Sequence, residues 1–242
     1  MKAFAQSDIG KAREMNQDYF YISPNDSKLK LYILADGMGG YKGGEVASKL
    51  ATITAKSYIE SNFDTTPKEK DEILKLIKSA MEYANMVVYE KSKEDKNLEG
   101  MGTTLEVCLI YNNNAYIGHV GDSRIYRLRG IYINKLTTDH SYVEKLIKDG
   151  TITKEEAENH PKKNMLTKAL GCNLFVEPDV LIKGFIRNDI LLMCSDGLTN
   201  MVNENKIYDI VKDNVETAPQ KLIDLANENG GIDNITAIVI RM

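Results

Sequence analysis

One stretch limits what this chain can fold into: Leu31-Tyr32-Ile33-Leu34-Ala35-Asp36-Gly37-Met38-Gly39-Gly40. Its first five residues are apolar with no polar alternation, the pattern of a strand covered on both faces. The run then stops at a carboxylate and a cluster of glycines. An aspartate at a strand end is held rigidly, and Gly37, Gly39 and Gly40 let the backbone turn sharply while leaving main-chain oxygens accessible. A fixed carboxylate beside bare carbonyls suits a hard divalent cation. Taken alone, Asp-Gly is more often an ordinary turn with an aspartate cap.

Two further apolar runs carry the same punctuation. Ile190-Leu191-Leu192-Met193-Cys194 leads into Ser195-Asp196-Gly197, and Gly231-Ile232-Asp233-Asn234 leads into Ile235-Thr236-Ala237-Ile238-Val239-Ile240. Gly121-Asp122-Ser123-Arg124 stands at a fourth junction between strand-like runs. Repetition changes the reading, because aspartates from distant strand ends are how a fold gathers ligands.

The 242 residues show no linker or long charge run, so a single domain over 1–242 is expected. A formal net charge of −4 argues against nucleic acid and against an anionic membrane surface. No apolar stretch approaches bilayer length, and the first residues lack the apolar core of a signal peptide. Cys108, Cys172 and Cys194 lie within or beside apolar runs and read as reduced core residues. The expectation is a soluble, cytoplasmic protein.

Strands are expected at residues 3–6, 19–23 and 29–35, and a helix over 44–62. Thr66-Pro67-Lys68-Glu69 has the form of a second helix start with a capping box. Ile73, Ile77, Ala80, Met81, Ala84, Val87 and Val88 then keep helical spacing. Runs at 103–111, 115–120, 124–128 and 131–136, split by Asn112-Asn113-Asn114 and Arg129-Gly130, predict an antiparallel meander. Two short helices are expected over 141–150 and 153–159, the second with a Thr153 to Glu156 capping box. They lie in a polar, lysine-rich segment, 141–171, that reads as a flap. Strands at 176–186, 190–194 and 234–241 and helices at 203–213 and 217–229 complete the chain. Strands apolar on both faces, with helices before and after them, imply an α+β fold. The expected form is a four-layer α/β/β/α sandwich of two antiparallel sheets.

The loop 7–18 is dense in polar groups. Arg13 offers a planar fork suited to phosphate, though a solvated arginine reads the same way, and Asp18 opens a strand. His119, His140 and His160 have no zinc-type spacing. The glycines after Asp36 lack the Gly-Lys-Ser/Thr of a phosphate loop. Cys194 has no arginine in the next few residues, which removes a cysteine-phosphatase pattern, and Gly121-Asp122-Ser123 has no matching hydrolase partners.

Eight elements in order then resemble the PP2C (PPM) family of metal-dependent protein serine/threonine phosphatases, in its compact bacterial form. They are Ser7-Asp8-x-Gly10-x-x-Arg13-x-x-Asn16-Gln17-Asp18, Ala35-Asp36-Gly37-Met38-Gly39-Gly40, Gly102-Thr103-Thr104 and Val120-Gly121-Asp122-Ser123-Arg124. They continue with Thr138-Asp139-His140-Ser141, Leu166-Thr167-Lys168-Ala169-Leu170-Gly171, Ser195-Asp196-Gly197-Leu198 and Asp233-Asn234-Ile235-Thr236. The resemblance implies two divalent metal ions, Mn²⁺ or Mg²⁺. Asp36 would bridge them, the Gly37 carbonyl would serve one, and Asp196 and Asp233 the other. Asp122, with Asp196, would hold a weaker third ion. Arg13 would bind the substrate phosphate, Asp18 would act from behind the ligands, and Gln17 would reach a metal through water. A hydroxide bridging the metals would attack phosphoserine or phosphothreonine in a phosphoprotein, opposing a cognate Ser/Thr kinase, with the enzyme a monomer.

Two departures from the family pattern stand out. Members that carry a histidine after the first Asp-Gly are thought to use it as general acid, and here the residue is Met38, which leaves metal-bound water as the donor. Tyr41 replaces a histidine found in many bacterial members, which bears on substrate positioning. Competing readings are a catalytically silent binding module, against which all four aspartates are present, and a small-molecule phosphomonoesterase. His140 reads as a structural hydrogen-bonding residue rather than a proton carrier.

Overall fold

The computed structural model of the chain describes residues 1–39 and 43–242. Tyr41 and Lys42, with Gly40, lie outside the described residues. The chain opens with β1 (Lys2–Asp8), β2 (Asp18–Ile22) and β3 (Lys30–Met38), then α1 (Gly43–Asn62) and α2 (Lys70–Glu94). Next come β4 (Gly102–Thr103), β5 (Leu105–Tyr111), β6 (Asn114–Val120), β7 (Arg124–Arg129) and β8 (Tyr132–Lys135). Two short helices, α3 (Tyr142–Lys148) and α4 (Lys154–Glu158), precede β9 (Asp179–Gly184) and β10 (Ile190–Cys194). α5 (Asp196–Thr199), α6 (Glu204–Asp213), α7 (Ala218–Glu228) and β11 (Ile235–Arg241) close the order.

The strands divide into two antiparallel sheets. One runs β1-β11-β10-β7-β8, and the other β2-β3-β5-β6-β9 with β4 paired to β3. Alternation along β3 explains the four layers. Tyr32 and Leu34 face the other sheet, in one buried cluster with its Ile125, Leu191 and Ile238, while Leu31 and Ile33 face Ala51, Ile77 and Met81 of α1 and α2. On the other outer face Leu192 and Val239 pack with Ile207 and Leu222 of α6 and α7. Ile33 and Leu34 are both fully buried, on opposite faces. Truncating either to alanine removes about 2–5 kcal/mol, a large share of a typical domain's stability. The expected α/β/β/α sandwich is the fold observed.

Four expectations change in detail. β3 continues to Met38, so Asp36 lies inside the strand rather than at its end. The expected meander is split: β5 and β6 pair in one sheet, β7 and β8 in the other. The chain crosses between sheets at Gly121-Asp122-Ser123. Gly121 has a φ of +119°, and a Cβ there would lie 2.4 Å from Thr104 Cγ2, so only glycine lets the chain change sheets at this point. α2 begins at Lys70 rather than at the Thr66 cap. The Thr66 hydroxyl instead donates to the Asn62 carbonyl at the end of α1, 2.8 Å away. Cys108 and Cys194 are buried as expected, but Cys172, where the chain leaves the sheet edge after Leu170-Gly171, is exposed.

The segment 141–171 forms α3 and α4. Ser141 caps α3, and Thr153 and Glu156 make the expected capping box. It is tied down at its base by bridges from Ser141 to Leu166 and from Thr103 to Leu170. Among the described residues, no helix is long and apolar enough to cross a membrane.

Candidate active site

Asp36 stands opposite Asp18 across the β2–β3 pair. Its backbone is clamped on both sides. The Asp36 N–H donates to Thr104 Oγ1 at 2.9 Å, and its carbonyl accepts from the Thr103 hydroxyl at 2.9 Å and from the Thr104 N–H at 2.9 Å. With the main chain satisfied, the carboxyl group is left to meet the neighbouring aspartates. At Gly37 the N–H donates to the Gln17 carbonyl, 3.1 Å away. A Cβ there would lie 2.1 Å from the Gly44 carbonyl oxygen, so β3, the N-terminal loop and α1 meet only over bare backbone. The Gln17 side chain packs on the same junction: a Cβ at Gly44 would come within 2.8 Å of Gln17 Oε1.

The second pair of aspartates comes from the other sheet. Asp196 opens α5 directly after β10, and Asn200, one turn on, donates to its Oδ2 at 3.0 Å. A Cβ on Gly197 would fall 2.0 Å from the Asn234 carbonyl oxygen. This close approach is what brings Asp196 beside Asp233. Asn234 staples the N-terminal loop in turn. Its amide donates to the carbonyls of Ile9 and Met15, each at 2.9 Å, and its Oδ1 accepts the Gln17 N–H at 2.8 Å. The stapled loop carries Arg13 to the rim, where Nη2 donates to Asp233 Oδ2 at 2.8 Å. Asp122 sits on the crossover between sheets, next to Ser123, whose hydroxyl meets Thr104 Oγ1 at 2.9 Å.

Charge crowding dominates the site. Burial lifts the Asp36 carboxyl well above its ordinary range, and Asp18, Asp196, Asp122 and Asp233 add to the effect. Asp18 is pushed up to about 7, chiefly by burial and against the hydrogen bonds that Thr236 and Ser195 donate to it. Those hydroxyls reach Asp18 Oδ2 at 2.6 and 2.8 Å, while its buried Oδ1 has no hydrogen-bond partner among the described residues. Asp122 is raised to about 8 by burial and then by Asp196; Asp196 is raised by burial and then by Asp233. The Arg13 guanidinium is raised in return, mostly by its bond to Asp233.

Carboxylates held this close, with an unpartnered buried oxygen behind them, fit divalent cations. The donors are all oxygen, which favours Mg²⁺ or Mn²⁺ over zinc. Among the described residues no three acidic, histidine or cysteine side chains already form a closed cage for an ion. Both Asp233 oxygens accept hydrogen bonds, from Arg13 and from the Asn234 N–H.

The sequence reading brought Asp18, Asp36, Gly37, Asp122, Asp196 and Asp233 to one place, with Arg13 and Gln17 beside them. It assigned no part to Thr103, Thr104, Ser123, Ser195, Thr236, Asn200 or Asn234. Asn200 carried a local signal, four residues after Asp196 on a helix. The hydroxyls carried none, since their partners are far apart in the chain. Met38 lies beside Gly102, where an added Cβ would meet Met38 Cε and Cys172 Sγ, each at 2.9 Å.

A two-sheet sandwich that draws carboxylates from both sheets toward one site fits the class of metal-dependent hydrolases, and comparison with known proteins narrows it. The model of the family "Protein phosphatase 2C" matches residues 10–224. Protein phosphatase PhpP of Streptococcus pneumoniae is 39% identical over 239 residues, covering 98% of this chain and 95% of that protein. The crystal structure of serine/threonine phosphatase Stp1 from Staphylococcus aureus superposes with a TM-score of 0.91 at 36% identity, covering 100% of this chain and 94% of that one. The catalytic domain of the serine/threonine protein phosphatase PstP, solved in complex with two manganese ions, gives a TM-score of 0.86 at 34% identity, covering 98% and 96%. The chain belongs to the protein phosphatase 2C family, whose members depend on divalent metal ions.

Proposed function

We propose that the aspartate cluster between the sheets is where this protein serine/threonine phosphatase hydrolyses phosphoserine and phosphothreonine in its phosphoprotein substrates. One observation carries the assignment. Asp36 from one sheet and Asp196 and Asp233 from the other converge on Asp18, which stands opposite Asp36 and accepts from Ser195 and Thr236, with Asp122 on the crossover and Arg13 at the rim on Asp233. In this reading Asp36, the Gly37 carbonyl, Asp196 and Asp233 hold two Mn²⁺ or Mg²⁺ ions, and Asp122 with Asp196 holds a weaker third. The ions when bound neutralise phosphoryl charge and supply an activated water at neutral pH.

The residues supply the rest. Asp196 is oriented by Asn200 and Asp36 by the two threonines. Asp18, held by Ser195 and Thr236, has Oδ1 left for a water behind the ligands, and Gln17 would reach a metal through water. The Arg13 fork binds the phosphate dianion, exchanging its contact with Asp233 for the substrate. The Met38 thioether has no proton to give, so the residue after Asp36-Gly37 does not protonate the leaving oxygen. Residues 1–242 act as one monomeric domain with 141–171 as a flap over the substrate. The enzyme works in the cytoplasm against a Ser/Thr kinase.

The test is phosphate release from a phosphothreonine peptide with Mn²⁺, without it, and after chelation, beside a panel of small phosphorylated metabolites. Metal-dependent release from the peptide is expected. Full activity in excess chelator, or turnover confined to the metabolites, overturns the reading.

A further inference from the structure

His140 lies outside the carboxylate cluster, yet it touches the loop that carries Asp122 from two directions. Its N–H donates to the Gly121 carbonyl at 2.7 Å, and its ring Nδ1 accepts the Gly121 N–H at 3.1 Å. Its own carbonyl accepts the Thr167 N–H at 2.8 Å, which ties the same residue to the base of the segment 141–171. The ring stacks on His119 with centroids 4.5 Å apart, and Nε2 lies 3.3 Å from Asp179 Oδ2. His119 is locked in place by Glu106 on Nδ1 and by the Thr138 carbonyl, 2.8 Å from Nε2.

We propose that His140 is a positioning residue: its neutral imidazole fixes Gly121, and through it the Asp122 carboxylate, while its main chain fixes the flap to the same point. The proposal rests on the reading of Asp122 as a working site residue. The physical argument is one of valence. A ring nitrogen that accepts an N–H carries no proton, so the tautomer must be Nε2–H. An imidazolium has no acceptor and would lose the Gly121 bond. Burial, with His119 and Lys168 next in effect, holds the His140 pKa down to about 4, which keeps the acceptor form. Gly121 needs such a clamp because a glycine at a φ of +119° has no side chain to hold it and the widest choice of other conformations, so only bonds to its own N–H and carbonyl fix it. With Nδ1 engaged, His140 is a holder of the loop and not a carrier of protons.

The two roles of the ring can be separated. His140→Phe keeps the stack on His119 and removes the acceptor; His140→Asn loses the stack but places an amide oxygen near the position of Nδ1. In the Mg²⁺-loaded full chain, amide hydrogen exchange at Gly121 should speed up at least tenfold in His140→Phe and stay within about threefold of wild type in His140→Asn. Phosphopeptide kcat should fall about tenfold or more in the first and little in the second, with KM nearly constant. Equal damage in both variants makes the role one of packing and overturns the proposal, as does unchanged Gly121 exchange in His140→Phe. Should His140→Phe not fold, the ring tautomer of the wild-type protein decides by nitrogen NMR at neutral pH. Nε2–H supports the proposal; Nδ1–H or a charged ring overturns it. Asp122→Ala is the reference: accelerated Gly121 exchange with normal turnover in both His140→Phe and Asp122→Ala leaves the clamp standing and removes Asp122 from the working site.

Discussion

The buried Thr104 hydroxyl lies 2.9 Å from the backbone nitrogen of Asp36 and accepts a hydrogen bond from its N–H. The same oxygen lies 2.9 Å from Ser123 Oγ, so one side chain joins the strand of Asp36 to the crossover that carries Asp122. Thr104→Val keeps the shape and removes the oxygen, leaving two polar groups without their partner. A lost partner of this kind costs about 1–3 kcal/mol. The Thr104→Val variant should melt several degrees lower and need more Mn²⁺ for half activation, while Thr104→Ser should sit near wild type in metal demand. Melting curves and metal titrations of both variants check this; a valine variant with unchanged metal demand would sever the link to Asp36.

Gly197 is held to its identity by the backbone it meets. A methyl group there would sit 2.0 Å from the Asn234 carbonyl oxygen and 3.4 Å from the Asp233 Cβ. Real Cβ atoms do not approach backbone so closely, so α5 and the start of β11 must part. Gly197→Ala should therefore cost more activity than stability, with weaker binding of Mn²⁺ measured directly by calorimetry. Metal affinity equal to wild type would show that Asp196 and Asp233 do not act together.

These two sites show what could be read from the sequence. The aspartates were legible because the same acidic punctuation beside glycine recurs at several distant apolar runs, whereas one alone reads as a turn. The clamps were not: Thr104, Ser195 and Thr236 look like ordinary strand residues until Asp36, Ser123 and Asp18 are placed beside them. The crossover at Gly121 was misread as a meander turn because a short loop between strands looks the same whether the strands share a sheet or not. Thr66 has the sequence of a helix cap, but its hydroxyl finds the Asn62 carbonyl first, a local competition that propensity does not resolve.

Away from the cluster, Glu106 and His119 form a buried pair. Burial raises Glu106 to about 7 from 4.5, outweighing the opposing pull of His119. Burial works to lower His119, but Glu106 outweighs it and the net shift is upward. Both signs agree: the folded chain keeps protons that the unfolded chain has released. Stability should therefore fall as pH rises from about 4.5 through 7, and further as His119 deprotonates, at up to about 1.4 kcal/mol per pH unit for each proton. Glu106→Gln removes the first contribution and most of the second. Its melting temperature should vary less between pH 5 and 7 than that of wild type; parallel curves would refute the assignment.

Arg13 has half of its side chain exposed and, among the described residues, one ionic partner, Asp233. Arg13→Ala should raise KM for a phosphopeptide about tenfold and leave metal activation nearly intact. Arg13→Lys should recover only part of the loss, since a point charge cannot reproduce the fork. Steady-state kinetics across Mn²⁺ concentrations distinguish the cases. A change in metal demand larger than the change in KM would assign Arg13 to holding Asp233 instead of the phosphate.

Asp122 offers the sharpest test of the proposed third ion. It lies on the crossover between the two sheets, and a carboxylate at such a turn has a structural default, that of accepting nearby N–H groups. Its surroundings argue for more. Burial and the neighbouring Asp196 raise it to about 8, with Asp139 adding and Arg124 opposing. A turn aspartate that served only the backbone would not be placed against a second carboxylate. Two protein carboxylates leave most of a cation's shell to water, so binding there should be weak and easily lost. Asp122→Ala should keep the fold and two tightly bound ions, lower the count of weakly bound Mn²⁺ by one, and cut phosphopeptide turnover at least tenfold. Equilibrium dialysis with Mn²⁺ and kinetics on the same samples measure both quantities. Wild-type turnover at every Mn²⁺ concentration, with the weak ion still bound, would make Asp122 a turn residue and end the case for a third metal in this chain.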